Sequence, residues 1–298
     1  MEFSVLLLIE IVDRPGILTS PTMNLYKSCL TQLHTKTRFL LQAQRITQLF
    51  WEITPGFENL SSLRILSRFL VGRPCFQSAS GLKSLGNLNH LRGRLMIELS
   101  DNWTTLVNEA AKPNLSTKSK LTELRIKWGP TRHIRETNLI EYQQLLDGLQ
   151  PPSGLKALQG QDLPSWARGN ELAFALPNLI NVSIDGCGQC ETLPPFSCLP
   201  HLKRLCLQFM HSVQLFENSD NQSMLTFFPS LQELTLHSFY SLKGWWKEET
   251  QTRSVSFNSL QKLKVWSCPK LESMPLFPNV EVLDMQNISK MIADFLSR

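Results

Sequence analysis

The chain has 298 residues, 42% of them hydrophobic and 18% charged, and its net charge of +5 is spread over 30 basic and 25 acidic side chains. Enough apolar material is present for a core, which excludes a disordered chain, and no dense Lys/Arg run marks a nucleic-acid footprint. The longest apolar run, Val5 to Val12, is interrupted by Glu10 and too short for a membrane span; Glu2 ahead of it argues against a signal peptide.

Residues 1–52 carry apolar side chains without a fixed spacing, and Lys27 to Trp51 is basic; the segment reads as an N-terminal cap, a helix or a damaged repeat. From Ile53 a return segment leads into an expected strand at Phe69 to Val71. Beyond it one spacing recurs, Leu-x-x-Leu-x-apolar. It is carried with one extra residue by Leu91, Leu95 and Ile97, and cleanly by Leu121, Leu124 and Ile126. A weak copy at Leu155 and Leu158 has Gly160 in its third place, which predicts a shortened or bulged strand. Five copies follow: Leu179, Val182, Ile184; Leu202, Leu205, Leu207; Leu231, Leu234, Leu236; Leu260, Leu263, Val265; and Val280, Leu283, Met285. Two of the longer units hold expected outer helices. One runs from Thr105 to Ala111. The other places Leu139, Tyr142, Leu146 and Leu149 at helical spacing, with Thr137 as N-cap and Pro151-Pro152 as the stop.

Successive copies start 20 to 34 residues apart, room for one short strand and one return segment. Such a strand cannot bury its apolar side alone, but stacked copies share one continuous core. A plain antiparallel sheet needs turn chemistry every 8–12 residues or so, and these units are too long for it. Residues 53–298 therefore read as an α/β leucine-rich-repeat solenoid, a right-handed horseshoe with a parallel concave sheet and an irregular or short-helical convex side.

Alternate side chains of a strand face opposite ways, so the residues between the apolar ones should form outward rows. One row is Glu123, Asn181, Arg204, Glu233, Lys262 and Val282. The next is Arg125, Ser183, Cys206, Thr235, Lys264 and Asp284, and the third is Lys127, Asp185, Gln208, His237, Trp266 and Gln286. Mixed charge, hydroxyl and aromatic groups suit recognition of a partner; an ordinary solvated face accounts for part of them. Trp266 with Lys262 and Lys264 is the expected anchor, beside Glu233 and His237.

Other chemistry is thin. Cys187, Cys190, Cys198 and His201 have a spacing that suits zinc, but Cys187 ends a repeat strand and Cys198 and His201 approach the next one, so burial is the preferred reading and no metal or cofactor is expected. Trp245 and Trp246 are expected to pack rather than to stack on bases or sugars, with Lys247, Glu248 and Glu249 solvated. No catalytic motif and no histidine pair at catalytic spacing appears, so an enzyme is not expected. Seven scattered cysteines, an odd number, do not bracket the repeats and favour a reducing compartment. Six Asn-x-Ser/Thr sequons, at Asn59, Asn102, Asn114, Asn181, Asn221 and Asn287, pull the other way.

The stretch "LPNLINVSIDGCGQCETLPPFSCLPHLKRLCLQFMHSVQLF" from Leu176 to Phe216 strongly resembles the repeat region of plant intracellular nucleotide-binding leucine-rich-repeat disease-resistance proteins. "SCPKLESMPLFPNVEVLDM" from Ser267 has the same style. "GLKSLGNLNHLRGRLMIE" from Gly81, "NEAAKPNLSTKSKLTELRIKW" from Asn108 and "LLDGLQPPSGLKAL" from Leu145 resemble the coiled-coil branch. The resemblance implies a cytoplasmic protein-binding module whose partner is a pathogen effector, a guarded host protein or a receptor's nucleotide-binding domain. The segment after Leu158, "QGQDLPSW", is shorter than the family's, and no Gly-x-x-x-x-Gly-Lys-Ser/Thr loop is present, so the family's nucleotide switch does not carry over. The rival readings are a secreted or membrane-tethered repeat ectodomain, which a glycan would support, and a ubiquitin-ligase substrate adaptor.

Overall fold

The computed structural model describes residues 60–71, 81–99, 107–108, 113–128, 139–168, 171–187, 190–216, 228–246, 257–290 and 292. Residues 1–52, Thr137, most of the segment expected as a helix from Thr105, and Lys247 to Glu249 lie outside these. Among the described residues nine strands form one sheet in chain order, every neighbouring pair parallel. They are β1 (Arg68–Val71), β2 (Gly93–Leu99), β3 (Leu121–Trp128), β4 (Ala157–Gly160), β5 (Asn181–Asp185), β6 (Arg204–Gln208), β7 (Glu233–His237), β8 (Lys262–Cys268) and β9 (Val282–Ile288). A parallel sheet whose order equals the chain order requires a crossover between every two strands, and a stack of short return segments supplies it.

The repeated apolar places coincide in the register. Leu205, Leu234, Leu263 and Leu283 pair in sequence, as do Leu207, Leu236, Val265 and Met285. The leading leucines Leu91, Leu121, Leu155, Leu179, Leu202, Leu231 and Leu260 are buried beneath them. The extra residue in the second unit appears as a register shift between Gly93 and Arg94, and Gly93 takes φ +77°, a conformation open to glycine without steric cost. β4 spans only four residues and places Gly160 opposite Ile184, so the core there lacks a side chain, as the sequence suggested.

The turns after the strands are equally regular. Gly186, Phe209, Ser238, Ser267 and Asn287 all have positive φ, and each directly follows the last outward residue of its strand. The amides of Gly186, Phe209 and Ser238 donate to the carbonyls of Gln208, His237 and Trp266 in the next repeat at 2.9 Å. Before the strands, Ser230 Oγ donates to Pro200 O, Ser259 Oγ to Pro229 O and Asn279 Nδ2 to Asn258 O, each linking a repeat to the one before it. Backbone groups of the return segments thus find partners one repeat away, which lets an irregular segment be buried.

On the return side, α1 (Leu139–Gly148) buries Tyr142, Leu145, Leu146 and Leu149 and is followed by the short α2 (Ser165–Arg168) and α3 (Leu172–Ala175). Later return segments are filled by aromatic rings. Trp245 is buried among Phe216, Phe257 and Phe277, and its Nε1 donates to Ser273 O at 3.0 Å. That is the packing role expected of it. At β9 the ladder stops among the described residues: Leu283 is 48% exposed where its register partner Leu263 is fully buried. No helix of the described residues is long and apolar enough to cross a membrane.

Candidate protein-interaction face

The outward side chains of the strands share one face. β5, β6 and β7 alternate buried and open positions, and the open ones are those expected: Asn181, Ser183 and Asp185; Arg204, Cys206 and Gln208; Glu233, Thr235 and His237. Cross-strand register continues the rows through Lys262, Lys264 and Trp266 to Val282, Asp284 and Gln286. One relation differs from the sequence reading, which set Glu123 next to Asn181. β4 stands between them, so Ala157 enters the first row and Gln159 the second. Gly160 obscured that strand as a full copy. The rows also extend to Arg94, Arg68, Met96 and Glu98, which the extra residue of the second unit concealed.

The rows differ in electrostatics. In the first, charges are matched across strands: Arg94 with Glu123 at 2.5 Å and Lys262 with Glu233 at 3.1 Å, while Arg204 Nε donates to Asn181 Oδ1 at 2.7 Å. Glu98 of the third row holds Lys127 at 3.9 Å and reaches across to Arg68 of the middle row at 2.5 Å. Beyond Arg68 the middle row forms no ion pair among the described residues, Arg125 included. Exposed pairs of this kind contribute little to folding, on the order of 0.2–1 kcal/mol each.

Towards β8 the third row becomes aromatic. The His237 ring meets Trp266 edge-on at 5.8 Å and Phe209 at 5.3 Å, and His211 stacks on Tyr240 at 5.0 Å. Lys264 Nζ lies 5.5 Å from the Trp266 ring centre. Phe209 and Tyr240 were not foreseen, because they follow the strands rather than belong to them. Phe209 is also the one large side chain in the column of positive-φ turn residues.

The four zinc-spaced residues do not converge. Cys187 and Cys190 are joined to each other, and the third ligand-type atom beside them belongs to Asp162, not to Cys198 or His201. In the disulfide neither sulfur is the thiolate that binds zinc. The bridge lies within one turn rather than at an end of the repeats, so it is no cap.

Two family models match this architecture: R13L1/DRL21 leucine-rich repeats over residues 82–210, and plant disease resistance protein RPS2-like leucine-rich repeats over residues 170–294. Over residues 82–294 the chain is similar to the leucine-rich-repeat regions of plant disease-resistance proteins. The resemblance read from Leu176 onward is thereby borne out. Curated relatives agree. Disease resistance protein RGA2 of Solanum bulbocastanum is 33% identical over 159 residues, 51% of this chain and 15% of that protein. Putative disease resistance protein RGA1 of the same species is 33% identical over 159 residues, 51% of the chain and 14% of the relative. Putative disease resistance protein At3g14460 of Arabidopsis thaliana is 31% identical over 163 residues, 51% of the chain and 11% of the relative. The chain thus matches only a small part of each relative's length.

Proposed function

We propose that this repeat region is a non-catalytic protein-recognition module of plant defence, acting in the cytoplasm, with the outward face of β3 and β5–β9 as its binding surface. The observation that carries the reading is the Lys264–Trp266–His237 group. A half-buried tryptophan in an outward row, flanked by a lysine and a histidine, is costly to leave facing water and well suited to anchor a partner. The names of the relatives place them in disease resistance, which supports the defence setting. The partner is a pathogen effector, a guarded host protein or the nucleotide-binding domain of a receptor, and its docking places charges against Lys262, Lys264, Arg204 and Arg125.

The test is capture of partners from source tissue on the purified chain, side by side with Trp266→Ala. A partner retained by the parent and lost by the variant, with unchanged unfolding of the variant, supports the reading. A partner held equally by both moves recognition off this face. Capture of a co-expressed nucleotide-binding domain by the same residues selects the intramolecular alternative among the three.

A further inference from the structure

After β5 the chain turns through Gly186 into Cys187, which is fully buried. Three residues later Cys190 is 5% exposed, and the two sulfurs form a disulfide. In the repeat register these places are ordinary core positions, taken by Met210 and Val213 after β6 and by Phe239 and Leu242 after β7. Filling the core therefore does not call for two sulfurs here, and it does not call for a carboxylate.

Asp162, from the turn after β4, supplies one. Its Oδ1 lies 2.7 Å from Cys187 Sγ and 3.9 Å from Cys190 Sγ, and accepts the Leu163 amide at 2.7 Å. A thiol can donate a proton to that oxygen; a disulfide has none to give. The two oxidation states of the pair thus differ in what they offer Asp162, and the carboxylate is placed to take a proton as the bond forms.

We propose that Cys187 and Cys190 are a redox-active pair that cycles between dithiol and disulfide by exchange with a low-molecular-weight disulfide of the glutathione class, with Asp162 accepting the thiol proton. Cys190, the less buried sulfur, loses its proton to solvent and attacks one sulfur of oxidised glutathione. The Cys190–glutathione bond forms, the glutathione S–S bond breaks, and the leaving thiolate takes a proton from water. Asp162 Oδ1 then takes the Cys187 proton, and Cys187 Sγ attacks Cys190 Sγ. The Cys187–Cys190 bond forms, the mixed disulfide breaks, and the second glutathione thiolate leaves and collects the proton from Asp162. The protein dithiol is oxidised by two electrons and glutathione disulfide is reduced to two thiols.

Cys268 is an internal control. It holds the same place after β8 as Cys187 does after β5, but Leu271 stands where a second cysteine would be, and Ser238 where Asp162 would be. Its thiol donates to Trp266 O, and burial keeps it protonated. It should take no part in exchange.

The experiment uses the whole chain, reduced and then equilibrated across ratios of reduced to oxidised glutathione, blocked with a maleimide and mapped by peptide mass. Cys187 and Cys190 are expected to pass together from two alkylated thiols to one bridged species, about 2 Da lighter than the dithiol, and to reopen in excess reduced glutathione. Cys268 should be alkylated only after unfolding. Cys187→Ser should stop at a glutathione adduct on Cys190, and Asp162→Asn should slow closure of the bridge about tenfold or more near pH 7. Free thiols at both positions across the whole range, or a bridge that reduced glutathione cannot open in the native chain, would overturn the proposal without requiring any variant to fold. Closure of Asp162→Asn at the parental rate would remove Asp162 from it.

Discussion

Leu234 of β7 pairs directly with Leu263 of β8, and both side chains are fully buried. The ten-residue stretches around them, Pro229 to Ser238 and Asn258 to Ser267, are near copies, so this pair is one core position written twice. Either Leu→Ala change leaves a cavity between two repeats and should cost on the order of 2–5 kcal/mol. Equilibrium unfolding in urea measures it. Near-neutral effects at both sites would contradict the register.

The positive-φ column makes a backbone prediction. Gly186 sits at φ +113°, where a Cβ is strained although it would meet nothing closer than Gln161 O at 3.6 Å. Gly186→Ala should therefore destabilise by about 1–2 kcal/mol through conformation alone. Ser267, in the same column at φ +55°, should respond in the opposite sense: Ser267→Gly is expected to gain up to about 1 kcal/mol. Thermal unfolding of the two variants with equal or reversed shifts would refute the assignment.

Buried ionisable groups set a pH profile. Lys118 is buried, with Gly86 O at 3.5 Å as its hydrogen-bond partner among the described residues, and desolvation lowers its pKa from 10.5 to about 8. Between those values the unfolded chain binds more protons, so stability rises with pH. Cys268 acts the other way. Desolvation by burial raises its pKa from 9.0 to about 11, so between those values the folded chain binds more protons and stability falls. Stability should rise from pH 8 to 9, stay nearly flat while the two oppose each other, and fall above about pH 10.5. Lys118→Met should abolish the rise and add up to about 3 kcal/mol at pH 7. Urea midpoints of both proteins across this range decide it; parallel profiles would show that Lys118 is not the source.

The outward face should be replaceable at little folding cost. Lys264 touches the Trp266 ring and holds no carboxylate within ion-pair distance among the described residues, so Lys264→Glu should change stability by no more than about 0.5 kcal/mol. With a partner in hand, Trp266→Ala should weaken binding by on the order of 2 kcal/mol. Calorimetry on the captured partner reads the second number, and unchanged affinity for both variants would make this strand scaffold.

The architecture was legible because a stacked strand demands an apolar side chain at every second place, and Leu202, Leu205 and Leu207 satisfy that demand visibly. The outward rows followed from the same alternation, with the gap at β4 left by Gly160, which has no side chain to signal a core position. The aromatic edge was harder to see. Phe209 and Tyr240 come after the strands, where the spacing rule ends and the path of the turn decides which way a ring points. Leu283 obeys the rule as well as Leu263 does, yet half of it is exposed, because burial of a repeat depends on a neighbour and not on its own sequence.

Local alternation along the chain determined by itself which side of the sheet each strand residue takes, since strand geometry converts odd and even places into two sides. Contacts between repeats were decided by tertiary structure alone. Asp162 stands 25 residues before Cys187, and Arg94 stands 29 before Glu123; both fall within the 20 to 34 residues of a repeat, and that range alone does not say which residues meet. They meet because the return segments differ in length and still bring every strand into register, so stacking, and not sequence distance, selects the partners.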